Sequence, residues 1–206
     1  MMKFVAKMPH TDKELSRQLL SEGWKKIKEP DTFLYAVLFS LPFAFICGGV
    51  TFLFLYWISP SLWNFISDKN GFEISIQINL ITIFYIIGIF VFMLFHELIH
   101  VLLIPNVFKS NKTLYGISFA FGFVFTTEII KKDRYILISV MPYIILSIVL
   151  PLILETIGLL NVYIVLLCII NAIGACVDFL NACRVLIQVP NGASIINNGF
   201  ETFYKK

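Results

Sequence analysis

Four long apolar stretches, at about 33–58, 76–104, 135–158 and 162–187, constrain this chain more than any other feature. Each is long enough to cross a hydrocarbon core of about 30 Å as a helix. Backbone amides and carbonyls find no water in that core, so each run must close its own hydrogen bonds. The chain is 58% hydrophobic and 14% charged, which puts it among integral membrane proteins in contact with a lipid bilayer. The fold class expected is therefore an all-α integral membrane protein with four transmembrane helices. Its net charge is only +3, and no basic stripe is interleaved with aromatics, so nucleic acid is not an expected partner.

The remaining sequence divides into an N-terminal arm over 1–32, a four-helix domain over 33–187 and a C-terminal tail over 188–206. In the arm, Thr11-Asp12-Lys13-Glu14 matches a capping box and predicts a short amphipathic helix with Leu15, Leu19 and Leu20 on its apolar side. Trp24 with Lys25, Lys26 and Lys28 suits the headgroup level of a membrane. Some thirty mostly polar residues precede the first apolar run, which is not the layout of a cleavable signal peptide. The tail, with Pro190-Asn191-Gly192 and Asn198-Gly199, reads as turn-rich.

Residues 106–134 differ in kind from the runs that flank them. The stretches 113–120 and 121–127 are short, β-rich and interrupted by Gly116 and Gly122. They predict a β-hairpin or re-entrant insertion between the second and third helices. Non-helical backbone at membrane depth has to line protein or water, so this segment is expected beside a site. Seven of the sixteen Lys and Arg lie in 1–32, one in the first loop, five in 106–134 and none in the third connection. The positive-inside rule then gives four spans with both termini and the insertion cytoplasmic.

Late in the second run stands Phe95-His96-Glu97-Leu98-Ile99-His100, an H-E-x-x-H pattern. Residues four apart share a helix face, so both imidazoles can reach one metal ion, with Glu97 beside them as a general base. Ionisable groups inside a lipid-compatible segment are costly, and they mark function more often than packing. A catalytic Zn²⁺ site takes three protein ligands and keeps one position open. His96 and His100 supply two, and His10 in the arm is remote, so a carboxylate is expected as the third. Asp178 is the favoured candidate, because it lies at a depth similar to the two His on a helix running the same way. Glu128 on the insertion is the alternative, Glu155 belongs near the opposite surface, and Asp178 can instead pair with Arg184. Asn171, two turns before Asp178, can hold substrate backbone, support a ligand or bond between helices. Gly116 and Gly122 are the other candidates for substrate binding. Cys47, Cys168, Cys176 and Cys183 have no CxxC spacing, and the last three suit a small-residue packing seam.

H-E-L-I-H late in a second membrane helix, a β-like insertion, and N-x-x-G-x-x-x-D from Asn171 to Asp178 together resemble a family of small bacterial membrane proteins read as zincin peptidases. The resemblance runs from about 33 to 200 and implies a bacterial cytoplasmic membrane. More distantly, the layout is similar to site-2 proteases, which pair an HExxH helix with a later Asp-bearing helix. That likeness implies metal ligation by His96, His100 and Asp178 and the base role for Glu97. Gly174 stands where site-2 proteases have proline, the spacing to Asp178 is one residue shorter, and Phe179 follows the aspartate.

The expected activity is that of a membrane-embedded zinc metallopeptidase acting near the cytoplasmic face on a membrane-associated protein or peptide. Extended substrate is expected, since a helix hides its carbonyls, and the 112–128 segment can offer a strand edge. A scaffold that keeps the fold without turnover is the alternative, and an ion pathway is a third reading disfavoured by the lack of an inverted repeat. Oligomeric state is open at this level.

Overall fold

The computed structural model describes residues 3–5, 9–30, 32–66, 79–107, 112–118 and 121–206. Residues 67–78 of the first loop and the 119–120 tip of the insertion lie outside them. In chain order the first elements are β1 (Lys3–Phe4), α1 (Lys13–Ser21), β2 (Lys25–Lys26), α2 (Phe33–Ile58) and α3 (Leu80–Leu103). There follow β3 (Thr113–Ser118), β4 (Phe121–Thr126), β5 (Ile130–Lys131), α4 (Lys132–Tyr143), a π-helical turn at Ile144–Val149 and α5 (Leu150–Thr156). The chain closes with α6 (Val162–Gly174), α7 (Cys176–Gln188), β6 (Ser194–Asn198) and β7 (Glu201–Lys205).

Among the described residues, four helices are long and apolar enough to cross a membrane, over Leu34–Ile58, Leu80–Leu103, Lys132–Thr156 and Val162–Gln188. They agree closely with the four apolar runs, as expected of a multi-pass membrane protein. The second span starts a few residues later than its hydropathy, because Asn79 caps it reciprocally with Thr82. It stops before Pro105, and the Arg134 guanidinium donates twice to the last helical carbonyl, of Leu103, at 2.9 and 2.8 Å. A cation there also opposes the negative end of the helix. The third span carries its π-helical turn midway, and the fourth breaks once, at Ala175, between α6 and α7.

The chain is not purely helical. The hairpin expected between the second and third spans is present: β3 and β4 pair antiparallel from Thr113↔Thr126 to Ser118↔Phe121. The N-terminal strand β1 lies parallel against β3 and completes a three-stranded sheet. A second, four-stranded sheet in the order β2-β7-β6-β5 was not foreseen. Two of its strands are only two residues long, too short for any periodic signal.

That second sheet joins the arm and the tail. Trp24, expected at headgroup level, is buried with Leu19, Ile196 and Phe203. The helix α1 forms as expected, yet its N-cap is Asp12, which accepts from the amides of Glu14 and Leu15. Thr11, the residue the capping box pointed to, instead accepts from the Phe200 amide. The carboxylate takes the positive helix end and the hydroxyl serves the turn that faces it. Leu20, placed by pattern on the apolar side, is 54% exposed.

Lys132 fastens this sheet to the helices. Its ammonium is buried and donates to the Leu186 and Val189 carbonyls and to Asn191 Oδ1 at 3.2, 2.6 and 3.0 Å. One side chain at the start of α4 thereby satisfies the orphan carbonyls at the end of α7. Gln188 adds a two-way bond to the backbone of Lys28. Replacing Lys132 by Met leaves three acceptors unmet and is expected to destabilise the fold by about 1–3 kcal/mol. Thermal unfolding in detergent checks this, with the exposed neighbour Lys131→Met expected to leave the midpoint unchanged.

A candidate metal centre

His96 and His100 project from one face of α3, one turn apart, with ring centroids 4.9 Å apart. That face is the part of the least buried span that turns inward: His96 is 3% exposed, whereas Phe95 and Leu98 beside it lie open to the surroundings. From α7, Asp178 brings Oδ2 to 3.2 Å from His96 Nε2 and 3.5 Å from His100 Nε2. Ligand atoms of the three lie within 4.8 Å of one another, the one such group among the described residues. Arg184 makes no ion pair with Asp178. Glu128 sits outside the group, at the end of the hairpin, where its amide donates to Thr126 Oγ1.

The hydrogen bonds behind the rings fix which nitrogen carries the proton. The Cys168 carbonyl can only accept, so the Ser147 hydroxyl donates to it, at 2.8 Å. Ser147 Oγ in turn accepts from Asn171 Nδ2 at 2.8 Å, which leaves Asn171 Oδ1 facing His96 Nδ1 at 2.8 Å. An amide oxygen accepts, so His96 Nδ1 holds the hydrogen and Nε2 offers a lone pair. Asn171 is fully buried and grips the ring opposite to Asp178. Its carboxamide is bonded to His96 on one side and to Ser147 on the other.

His100 is oriented by a different device. Its Nδ1 lies 2.9 Å from the carbonyl oxygen of Ile138. That carbonyl is four residues before Pro142, which lies inside α4 and has no N–H to return to it. Proline thus frees a carbonyl within the span, and His100 Nδ1–H takes it. Both imidazoles therefore hold their hydrogen on Nδ1 and direct a bare Nε2 at Asp178. With both imidazoles neutral, two lone pairs and a carboxylate face one point, an arrangement that a cation satisfies.

Glu97 follows His96 on α3 and is half-buried, interacting electrostatically with His100, His96 and Asp178. Its room comes from β4: a Cβ built on Gly122 would stand 2.7 Å from Glu97 Cγ. Gly122 is thus placed against the motif. Gly116 is placed elsewhere, where a Cβ would meet the Val5 carbonyl and the Phe123 ring. The outer edge of β3 is taken by the chain's own N-terminal strand, Val5 N donating to Tyr115 O at 2.9 Å. Tyr115 hence turns its backbone to β1, and by alternation its partner Val124 turns N–H and C=O away from β3. β4 is the other edge strand of the three-stranded sheet, and Glu97 lies over its face at Gly122.

The donor set suits zinc. A tetrahedral ion bound at about 2.0–2.1 Å holds its ligand atoms about 3.3 Å apart, and the His–Asp separations of 3.2 and 3.5 Å match that spacing. Two imidazoles and one carboxylate leave a fourth position. Neither Asp178 nor Glu97 has a Lys or Arg partner among the described residues, a charge balance that a bound cation would complete.

Sequence reasoning missed Ser147, Pro142 and the Ile138 carbonyl. Only Pro142 left a readable trace, since any proline within a helix frees the carbonyl four residues back.

One family model, described as "Putative zincin peptidase", matches residues 89–194. No curated protein matches the chain, and no solved structure does. The matched stretch exceeds half of the 206 residues and contains His96, Glu97, His100, Asn171 and Asp178 with the hairpin between them. By that match the chain belongs to the family described as "Putative zincin peptidase".

Proposed function

We propose that this protein is a membrane-embedded zinc metallopeptidase, distantly site-2-protease-like. It hydrolyses peptide bonds of a membrane-associated protein or peptide near the cytoplasmic face, with both termini on that side. The observation that carries this reading is the commitment of both Nδ1–H groups, to Asn171 and to the Ile138 carbonyl. It leaves His96, His100 and Asp178 turned as ligands towards one point.

His96, His100 and Asp178 would hold zinc, which when bound would supply Lewis acidity to water and to a carbonyl oxygen, and the sheltered face of α3 keeps the surroundings low in water. Glu97 takes one proton from the attacking water and delivers it to the departing nitrogen, so the carboxylate ends as it began. Gly122 keeps the Glu97 side chain in reach of that exchange. Extended substrate pairs with the outer edge of β4 through the backbone of Gly122 and Val124, with β1 already covering the far edge of the sheet.

Metal content and peptide cleavage measured side by side test the reading. Wild type and Glu97→Gln are expected to carry close to one zinc per chain, and Asp178→Ala much less. Cleavage is expected in wild type and is reduced about 10²–10⁴-fold in Glu97→Gln. Metal-free wild type after purification without chelators would sink the proposal. Asn171→Ala and Pro142→Ala test the supports: the first removes the Nδ1 acceptor of His96, the second returns an amide that competes for the Ile138 carbonyl. Each is expected to weaken zinc binding about 10–100-fold in competition with a chelator.

A further inference from the structure

A groove of about 680 Å³ lies between the start of α2 and the end of α7, lined by Lys28, Glu29, Pro30, Tyr35, Phe39, Leu180 and Arg184. Its walls are graded by depth. Tyr35 and Arg184 stand within about one turn of the ends of the two spans, and Phe39 and Leu180 about a turn deeper, at about 1.5 Å per residue. The mouth is therefore polar and cationic, and the floor is aromatic and aliphatic. Tyr35 and Phe39 are 53% and 60% exposed, on helix faces that the bundle leaves uncovered.

The cations at the mouth make no direct bond to an acid: among the described residues neither the Lys28 ammonium nor the Arg184 guanidinium makes a hydrogen bond or ion pair. Glu29, the one acid lining the groove, acts on Arg184 through its charge without a direct contact, while its two oxygens accept from the Thr202 amide and hydroxyl at 2.6 and 2.8 Å. Burial pushes its carboxyl above the usual range, against those bonds and the charges of Arg184 and Lys26. Two basic side chains at the rim of an apolar floor, at the level where a span meets the headgroups, match the polarity of one molecule.

We propose that this groove binds an anionic glycerophospholipid, with its phosphate between Arg184 and Lys28 and an acyl chain along Tyr35, Phe39 and Leu180. The lipid links α2, α7 and the segment leading from β2 into α2, and it sits on a different face of α7 from Asp178. The site does not depend on the peptidase reading.

Detergent-solubilised full-length protein titrated with phosphatidylglycerol, phosphatidylcholine of the same acyl chains, or inorganic phosphate provides the test, read by thermal midpoint. Phosphatidylglycerol is expected to raise the midpoint saturably, and the other two to leave it in place. Lys28→Gln and Arg184→Gln are each expected to weaken the response about fivefold, the factor for one basic group at an anionic surface. Phe39→Ala is expected to weaken it as well, and Lys206→Gln, equally basic but outside the groove, to leave it unchanged. Lys28 is exposed, so its variant keeps the test valid should Arg184→Gln fail to fold. An equal response to phosphatidylcholine or to inorganic phosphate would overturn the proposal, as would full binding by Lys28→Gln.

Discussion

A polar group inside a lipid-facing bundle has to meet another polar group of the right sense, and the centre of this molecule is organised by that demand. The line from the Cys168 carbonyl through Ser147 and Asn171 to His96 has one direction only, because it begins at an atom that cannot donate. It sets the tautomer of an imidazole three hydrogen bonds away from its origin. The Ile138 carbonyl does the same for His100 with a single bond. Four elements, α3, α4, α6 and the π-helical turn, are tied together by these bonds, and α7 closes the group through Asp178. Moving any one of these elements would leave a buried donor or acceptor without a partner, at a cost of about 1–3 kcal/mol for each.

Irregularities in the third and fourth spans supply what regular helices cannot. Pro142 exposes a carbonyl, and the π-helical turn after it carries Ser147 into contact with α6. The break at Ala175 separates the helix that supports His96 from the helix that faces it with a carboxylate. An unbroken ladder would consume the Ile138 carbonyl internally. Departures of this kind gather at functional positions in helices generally.

Much of this was legible in the sequence, for identifiable reasons. Span length and hydropathy report directly on the medium, so the four helices could be placed to within a few residues. H-E-x-x-H carries its own geometry, because a four-residue offset on a helix leaves little freedom. Asp178 followed from depth, since its distance from the end of its helix resembles that of His96 and His100 from theirs. The hairpin showed in β-rich segments broken by glycine. What stayed hidden depends on helix rotation or on distant pairing. Which face Ser147 presents is decided by a π-helical turn with no compositional mark. The Trp24 ring looked like an interfacial anchor because the strands that bury it lie at the other end of the chain. Thr11 was favoured as the cap over Asp12 by pattern, although the turn at Phe200 competes for its hydroxyl.

The joining of arm and tail in one sheet has a consequence for how the protein is made. Lys26 meets Glu201 across 175 residues of chain, and every span lies between them. During synthesis at about 5–20 residues per second, β2 waits roughly ten to thirty seconds for the strand it pairs with. By then all four apolar helices have left the ribosome and can already be inserted. Trp24 and its lysine-rich neighbours spend that interval without their final packing, next to a membrane being filled. Closure of the terminal sheet is thus a late event, which locks a bundle assembled before it.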